Sequence, residues 1–346
     1  MKREDRSIRV LVVDDSPLAR DMIIAILSSA PGITVAGTAA NGLEAVTRVA
    51  TLKPDIVTMD IEMPLLGGLE AIERIMAEHP VPILVVTALG GIHTAFAAVS
   101  RGALDLIEKP DIDPKSGQAL IDKVRLLAGV DIARHLAVKV RAKTAVGRPA
   151  AVGQPRHNGR IVAIAASTGG PLALQQILSR LPASFPAPIV ISQHIAADFA
   201  QGMVEWLDNC SPLTVSVARH QEQMRAGRAY VNPPEYAMTV TNQGQIVLSD
   251  QQTCEHYHPC CDTLLRSAAA VYGEYGVGVI LSGMGDDGVA GMGAIRSSGG
   301  TTLAQDAKSS VVYGMNRLAV ERGHVDRVVA LDDMAADLAA LVGMRG

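Results

Sequence analysis

Ile161-Val162-Ala163-Ile164-Ala165-Ala166-Ser167-Thr168-Gly169-Gly170 decides how this chain folds. An unbroken run of six apolar residues suits a strand buried on both faces. The Ser-Thr-Gly-Gly that follows, with Pro171 behind it, suits a tight turn into a helix whose first turn tolerates proline. Strand, turn and helix in that order form the unit of a parallel α/β sheet. Two later segments repeat the form: Ile189-Val190-Ile191-Ser192-Gln193-His194, and Gly278-Val279-Ile280-Leu281-Ser282-Gly283-Met284-Gly285-Asp286-Asp287-Gly288. A serine, a histidine and a pair of aspartates therefore stand at the ends of three separate strands. In an open α/β sheet those ends face one crevice. Ser167, His194 and either Asp286 or Asp287 are candidates for nucleophile, base and orienting acid.

The 346 residues suggest two domains, and 48% apolar residues are enough for two cores. A net charge of -4 argues against a nucleic-acid-binding surface spread over the whole protein. No apolar run is long enough to span a membrane, because Gly, Pro or a charge interrupts each one. Met1-Lys2-Arg3-Glu4-Asp5-Arg6 is not a secretory signal. The four cysteines, Cys210, Cys254, Cys260 and Cys261, show no disulfide framework in their spacing and fit a reducing cytoplasm. The crowded run Cys254-Glu255-His256-Tyr257-His258-Pro259-Cys260-Cys261 could hold a soft metal, but it lacks the two spaced ligand pairs of a structural zinc site. It reads more simply as a loop entering a helix from Asp262.

The first third alternates strand and helix. Strands are expected at Ile8–Val13, Ile33–Ala36, Ile56–Met59, Pro82–Val86 and Leu104–Ile107, with helices over Pro17–Leu27, Glu44–Leu52, Leu69–Glu78 and from Gly117. Repeated β-then-α units imply a parallel sheet covered on both faces. From Gly129 to Arg160 the chain is basic and interspersed with Ala, Val, Gly and Pro; Asp131–Val140 could continue a helix, and Ala145–Asn158 reads as a tether. The expected division is residues 1–128, a linker over 129–159, and a second α/β domain over 160–346. In that second domain Leu213–Val217, Ala229–Val231, Ala237–Val240 and Gln245–Leu248 are closely spaced strand candidates. Asn242-Gln243-Gly244 is a tight turn between the last two, which makes an antiparallel hairpin.

In the first domain Asp14 and Asp15 follow the first strand, Asp60 the third and Thr87 the fourth, while Lys109-Pro110 follows the fifth. Three carboxylates gathered at one sheet edge repel unless a cation sits among them. Mg2+ suits such oxygen ligands and keeps room for a phosphoryl group. Asp60 is then the group that accepts the phosphoryl group, Asp14 and Asp15 hold the metal beside it, and Thr87 and Lys109 engage the phosphoryl oxygens. Val12-Val13-Asp14-Asp15-Ser16, Met59-Asp60-Ile61-Glu62-Met63-Pro64, Thr87-Ala88 and Lys109-Pro110 resemble the receiver domains of two-component response regulators over residues 7–128. That resemblance implies a flavodoxin-like, five-stranded parallel sheet. There are two departures from the pattern. Leu66 precedes Gly67 where an Asp is common, and Leu106 stands in the place of a switch aromatic.

The turn Ala165-Ala166-Ser167-Thr168-Gly169 is similar to a nucleophile elbow, with Ala165 in place of its first glycine. A helix beginning there would aim free amides at the serine, as an oxyanion requires. The chain order Ser167, His194, Asp287, joined to a receiver domain, resembles the chemotaxis protein-glutamate methylesterase family, CheB. Arg266-Ser267-Ala268-Ala269, Gln305-Asp306 and Tyr313-Gly314-Met315 add to that resemblance. It implies that Ser167 is the nucleophile, His194 the base and Asp287 the third member, with oxyanion support from the Met284 amide beside those of Thr168 and Gly169. It also implies hydrolysis of glutamyl methyl esters and glutamine amides on methylated chemoreceptors, and phosphorylation by a histidine kinase of the CheA type. No cofactor is expected in the catalytic domain. Asn316 replaces the proline usual after Gly-Met, and Asn232-Pro233-Pro234-Glu235 replaces a Gly-rich loop. Two other readings stand beside this one: a phospho-dependent adaptor without catalysis, and the same esterase serving a receptor-like array outside flagellar control.

Overall fold

The computed structural model describes residues 7–88, 92–111, 113–132, 159–250 and 259–343. The chain divides into two compact units, residues 1–136 and 137–346, and the division falls outside the described residues. Residues 133–158 of the expected linker and residues 254–258 of the cysteine-rich run also lie outside them.

The first unit is built from β1 (Ile8–Val13), α1 (Pro17–Ser29), β2 (Ile33–Ala39), α2 (Gly42–Leu52), β3 (Ile56–Met59), α3 (Gly68–Glu78), β4 (Ile83–Thr87), α4 (Ile92–Arg101), β5 (Asp105–Glu108) and α5 (Pro114–Leu127). Its five strands are all parallel, in the order β2-β1-β3-β4-β5, as expected from the alternating pattern. All of β3 and β4 is buried, which explains why both read as continuous apolar runs. Local chemistry sets the helix starts. Ser16 caps α1 by accepting the Ala19 amide at 3.3 Å, with Pro17 at the first position. Asn41 caps α2 by accepting the Glu44 amide at 3.0 Å.

The second unit contains β6 (Ile161–Ala166), α6 (Gly170–Leu178), β7 (Ile189–Gln193), α7 (Ala197–Cys210), β8 (Thr214–Val217), β9 (Arg228–Val231), β10 (Ala237–Val240), β11 (Ile246–Ser249), α8 (Cys261–Tyr272), β12 (Gly276–Ile280), α9 (Val289–Ser297), β13 (Thr301–Gln305), α10 (Met315–Glu321), β14 (Arg327–Val329) and α11 (Leu331–Leu341). Seven strands form one parallel sheet in the order β14-β13-β12-β6-β7-β9-β8. β10 and β11 pair antiparallel as a separate hairpin, with Val240 opposite Ile246. Gly244 turns between them at φ +74, and its amide donates to the Thr241 carbonyl at 2.9 Å.

Every residue of β6, β7 and β12 is buried, so these three strands form the centre of the sheet. On one face they pack against α8, α9 and α10 through Leu264, Leu265, Val289, Met292 and Met315. Burying each such side chain contributes about 1.5–3 kcal/mol. The chain runs from β6 outward through β7 on one side, then returns to place β12 on the other. β6 is therefore where the strand order reverses, and the crevice at its carboxyl end is the place an α/β sheet offers to a ligand.

Candidate active site

Backbone pairing carries three loops to that crevice. Ala166 at the end of β6 lies in register with Gln193 at the end of β7. The ladder continues one step further, where the His194 amide donates to the Ala166 carbonyl at 3.0 Å. On the other side the Leu281 amide donates to Ala165 at 2.9 Å, and the Ser167 amide to Ser282 at 3.1 Å. Ser167 thus emerges between the loop that carries His194 and the loop that carries Asp287. Its residue is buried to 9% exposure.

The imidazole of His194 meets Asp287, with Nε2 2.8 Å from Oδ2. Asp286 is exposed, whereas Asp287 is buried. The Asp287 carboxylate also sits on the first turn of α8, where Oδ2 accepts the Cys261 amide at 2.7 Å and Oδ1 the Asp262 amide at 2.9 Å. Burial favours the neutral acid, but the His194 contact and the two amides outweigh it, and Asp287 is held below its ordinary 3.8. It is an anion at neutral pH, lodged against the positive end of a helix.

Ser167 occupies a tightly determined turn. Gly169 takes φ +80 just before α6, and a Cβ there would lie 2.8 Å from the Ser282 hydroxyl oxygen. A Cβ on Gly283 would lie 2.6 Å from the Ser167 Cβ, so only glycine lets the β12 loop approach the serine this closely. Met284, next along, is half exposed at the crevice. Thr168 and Gly169 immediately precede α6, and their residues lie at its amide-rich end.

Side chains outside the three candidates lock these loops. Gln193 Nε2 donates to the carbonyls of Ser167 and His194, both at 2.9 Å. The Ser282 hydroxyl donates to the Thr168 carbonyl at 2.7 Å and accepts the Val312 amide at 3.0 Å. Gln305 Oε1 accepts the Ser282 amide at 2.8 Å. Asn316, the residue that departs from the expected proline, is fully buried and donates to the Gln305 carbonyl at 3.0 Å and the Ser310 hydroxyl at 2.8 Å. Ser282 and Gln305 were not among the expected participants, although Gln305 ends β13 and Ser282 lies just past β12 at the same edge as the candidates.

Cys261, expected only as part of a crowded cysteine run leading into a helix, opens that helix beside His194. Its free, buried thiol lies 3.4 Å from His194 Nε2 and donates to the Ser192 carbonyl at 3.3 Å. Burial, with the Asp287 charge beside it, pushes that thiol well above its usual value. Cys260 is disulfide-bonded, a correction to the expectation drawn from cysteine spacing.

In the first unit Asp14 and Asp60 are buried at the carboxyl ends of β1 and β3, and Asp15 beside them is exposed. Lys109 bridges the two buried acids, with Nζ 2.7 Å from Asp14 Oδ2 and 2.9 Å from Asp60 Oδ2. Burial raises Asp14 above its ordinary value despite the lysine and the Ser16 amide, which Asp14 Oδ1 accepts at 2.9 Å. For Lys109, burial works to lower the ammonium value, but its bonds to Asp14 and Asp60 win and raise it. Thr87 is buried at the end of β4, and the Lys109 amide donates to its carbonyl at 2.9 Å. Carboxylate oxygens of Asp14, Asp15 and Asp60 lie within 4.8 Å of one another. A hard, all-oxygen set of three carboxylates gathered at one sheet edge is a fit for a divalent cation such as Mg2+. Leu106 is buried in β5.

Comparison with known proteins agrees with both units. Residues 10–122 match the response regulator receiver domain, and residues 162–338 match the CheB methylesterase domain. The chain belongs to the CheB methylesterase family. It is 44% identical over 97% of its length to protein-glutamate methylesterase/protein-glutamine glutaminase 3 of Paramagnetospirillum magneticum, covering 96% of that protein. A protein of the same name, numbered 2, from Anaeromyxobacter dehalogenans is 44% identical over 97% of this chain and 98% of its own length. The crystal structure of the Thermotoga maritima CheB methylesterase catalytic domain covers 53% of this chain and 99% of its own, with 35% identity and a TM-score of 0.52. Membership of the CheB family fits the fold of the second unit, whose candidate residues lie at the carboxyl ends of β6, β7 and β12. Among the described residues no helix is long and apolar enough to cross a membrane.

Proposed function

We propose that this chain hydrolyses glutamyl methyl esters, and glutamine side-chain amides, on methylated chemoreceptors by a Ser-His-Asp mechanism controlled through phosphorylation of Asp60. The observation that carries this reading is the His194–Asp287 contact at 2.8 Å, in the loop that hydrogen-bonds to the strand ending at Ser167.

Asp287 is an anion facing Nε2, so Nε2 holds the proton of the neutral ring and Nδ1 serves as the base. Nδ1 takes the Ser167 proton as the hydroxyl oxygen attacks the ester carbonyl. The tetrahedral oxyanion is stabilised by the amides of Met284, Thr168 and Gly169. The imidazolium then returns the proton to the departing methoxide, methanol leaves, and an acyl-serine remains. Water, deprotonated by Nδ1, releases glutamate and restores Ser167. With a glutamine substrate the leaving group is ammonia. Asp287 stabilises the imidazolium in both halves.

In the receiver unit Asp60 accepts a phosphoryl group from a histidine kinase of the CheA type. Mg2+ held by Asp14, Asp15 and Asp60 would neutralise phosphoryl charge there. Lys109 leaves its bridge between Asp14 and Asp60 to pair with phosphoryl oxygens, and Thr87 supplies a hydroxyl to them. Phosphorylation of Asp60 raises the esterase rate. The setting is the cytoplasm, where the kinase and the receptor's methylated helices are found.

The test measures methanol release from methylated receptor membranes, with and without a small-molecule phosphodonor. The wild-type chain releases methanol faster with the phosphodonor, and Ser167→Ala releases none. Methanol release by Ser167→Ala at the wild-type rate would sink the mechanism. An identical rate with and without phosphodonor would sink the control.

A further inference from the structure

His194, Cys261 and Asp287 bring an imidazole nitrogen, a thiol and a carboxylate to one point, and their ligand atoms all lie within 4.8 Å of one another. Sulfur and ring nitrogen are 3.4 Å apart, and ring nitrogen and carboxylate oxygen 2.8 Å apart. In a tetrahedral zinc site the metal lies about 2.3 Å from sulfur and about 2.0–2.2 Å from nitrogen or oxygen, which separates neighbouring donors by roughly 3.3–3.6 Å. The sulfur–nitrogen pair is already at that spacing, and the nitrogen–oxygen pair needs to open by about half an ångström.

We propose that His194, Cys261 and Asp287 form a binding site for a soft divalent cation, Zn2+ above all, and that occupancy of this site switches the esterase off. The inhibition rests on the catalytic reading above, whereas the binding does not.

The chemistry of the switch follows from the ring. Nε2 bonds the metal in place of its proton, and that proton moves to Nδ1, because a neutral imidazole carries one N–H. Nδ1 is then a donor and can no longer take the Ser167 proton. Cys261 loses its thiol proton to solvent as the metal–sulfur bond forms, so one proton leaves for each ion bound. Asp287 is already ionised and joins without a proton change, and water completes the four ligands.

The surroundings select the metal. The Cys261 thiol donates to the Ser192 carbonyl, so the bare thiolate would face a carbonyl oxygen and repel it. Only a cation that bonds sulfur strongly offsets this, which admits Zn2+ or Co2+ and rejects Mg2+. The receiver carboxylates have the opposite preference, so the two sites are chemically separable.

The full-length chain is titrated with Co2+, whose bond to a thiolate gives a charge-transfer band in the near ultraviolet, and with Zn2+ in the methanol-release assay. Mg2+ is kept in excess to occupy oxygen-only sites. The expected result is a thiolate band that saturates at one Co2+ per chain and disappears in Cys261→Ser but not in Cys210→Ser. Inhibition by Zn2+ should be at least tenfold weaker in Cys261→Ser. No thiolate band in the wild-type chain, or a band that survives Cys261→Ser and vanishes in Cys260→Ser, overturns the site. A Cys261-dependent band with no loss of activity overturns the switch while leaving the site. If Cys261→Ser fails to fold, Cys261→Val takes its place, since valine keeps the buried volume without the sulfur.

Discussion

Replacing Asp287 with asparagine tests the centre of the proposed mechanism. The carboxylate accepts from His194 Nε2 and the Cys261 amide on Oδ2, and from the Asp262 amide on Oδ1. Asparagine has one oxygen and one NH2 group, so it cannot serve all three. With its oxygen in the Oδ2 position it keeps His194 and Cys261, and its NH2 faces the Asp262 N–H. The reverse orientation sets NH2 against both His194 and Cys261, so the first is favoured. The neutral tautomer survives, and one buried amide is left without an acceptor, which costs about 1–3 kcal/mol of stability. The larger effect is on the rate. Imidazolium and carboxylate charges centred about 4 Å apart attract by about 4 kcal/mol at an effective dielectric constant of about 20. Loss of that attraction slows the chemical step about a thousandfold, at about 1.4 kcal/mol per factor of ten. Methanol release at saturating substrate should therefore show kcat reduced by two to four orders of magnitude, with KM little changed. A loss smaller than tenfold, or one confined to KM, would refute the assignment of Asp287 as partner of the imidazolium.

Gly283→Ala should lower both stability and kcat, because the new Cβ would lie 2.2 Å from Met315 Sδ and 2.6 Å from the Ser167 Cβ. Overpacking of this kind costs about 1–3 kcal/mol, and a thermal melt beside the methanol assay reads both. Asn316→Ala removes the donors to Gln305 and Ser310 and should destabilise the chain by about 1–3 kcal/mol in denaturant titration. Lys109→Met leaves Asp14 and Asp60 without their shared cation, and the phosphodonor-dependent part of methanol release should vanish. Asp287, held below 3.8, binds its proton less tightly when folded than when unfolded. Its ionised form therefore stabilises the fold above pH 3.8, and this contribution is lost as pH falls through the depressed folded value. Acid melts of wild type and Asp287→Asn should converge in that window.

The strands that build the site were legible because they are buried on both faces, so β6, β7 and β12 appear as plain apolar runs with the chemical residue just past the end. The receiver carboxylates were legible for the same reason. β13, Thr301–Gln305, and β14, Arg327–Val329, were not picked out. β13 carries threonines and glutamine among its five residues, and β14 has only three residues, two of them exposed at the sheet edge. Neither presents a periodicity that stands apart from loop sequence.

By itself the order of residues determined the α/β class, the two-unit organisation and the positions of Ser167, His194, Asp14, Asp60 and Lys109, because each rests on short-range pattern. The local pattern left Asp286 and Asp287 both open and the family resemblance implied Asp287; the tertiary structure sets Asp287 against the imidazole. It also decided that the contact uses Nε2, and that Cys261 stands beside it. The Ser282 hydroxyl holds a carbonyl 114 residues away. Contacts across such separations depend on which strands become neighbours and on which way a buried side chain turns, and no local periodicity encodes either.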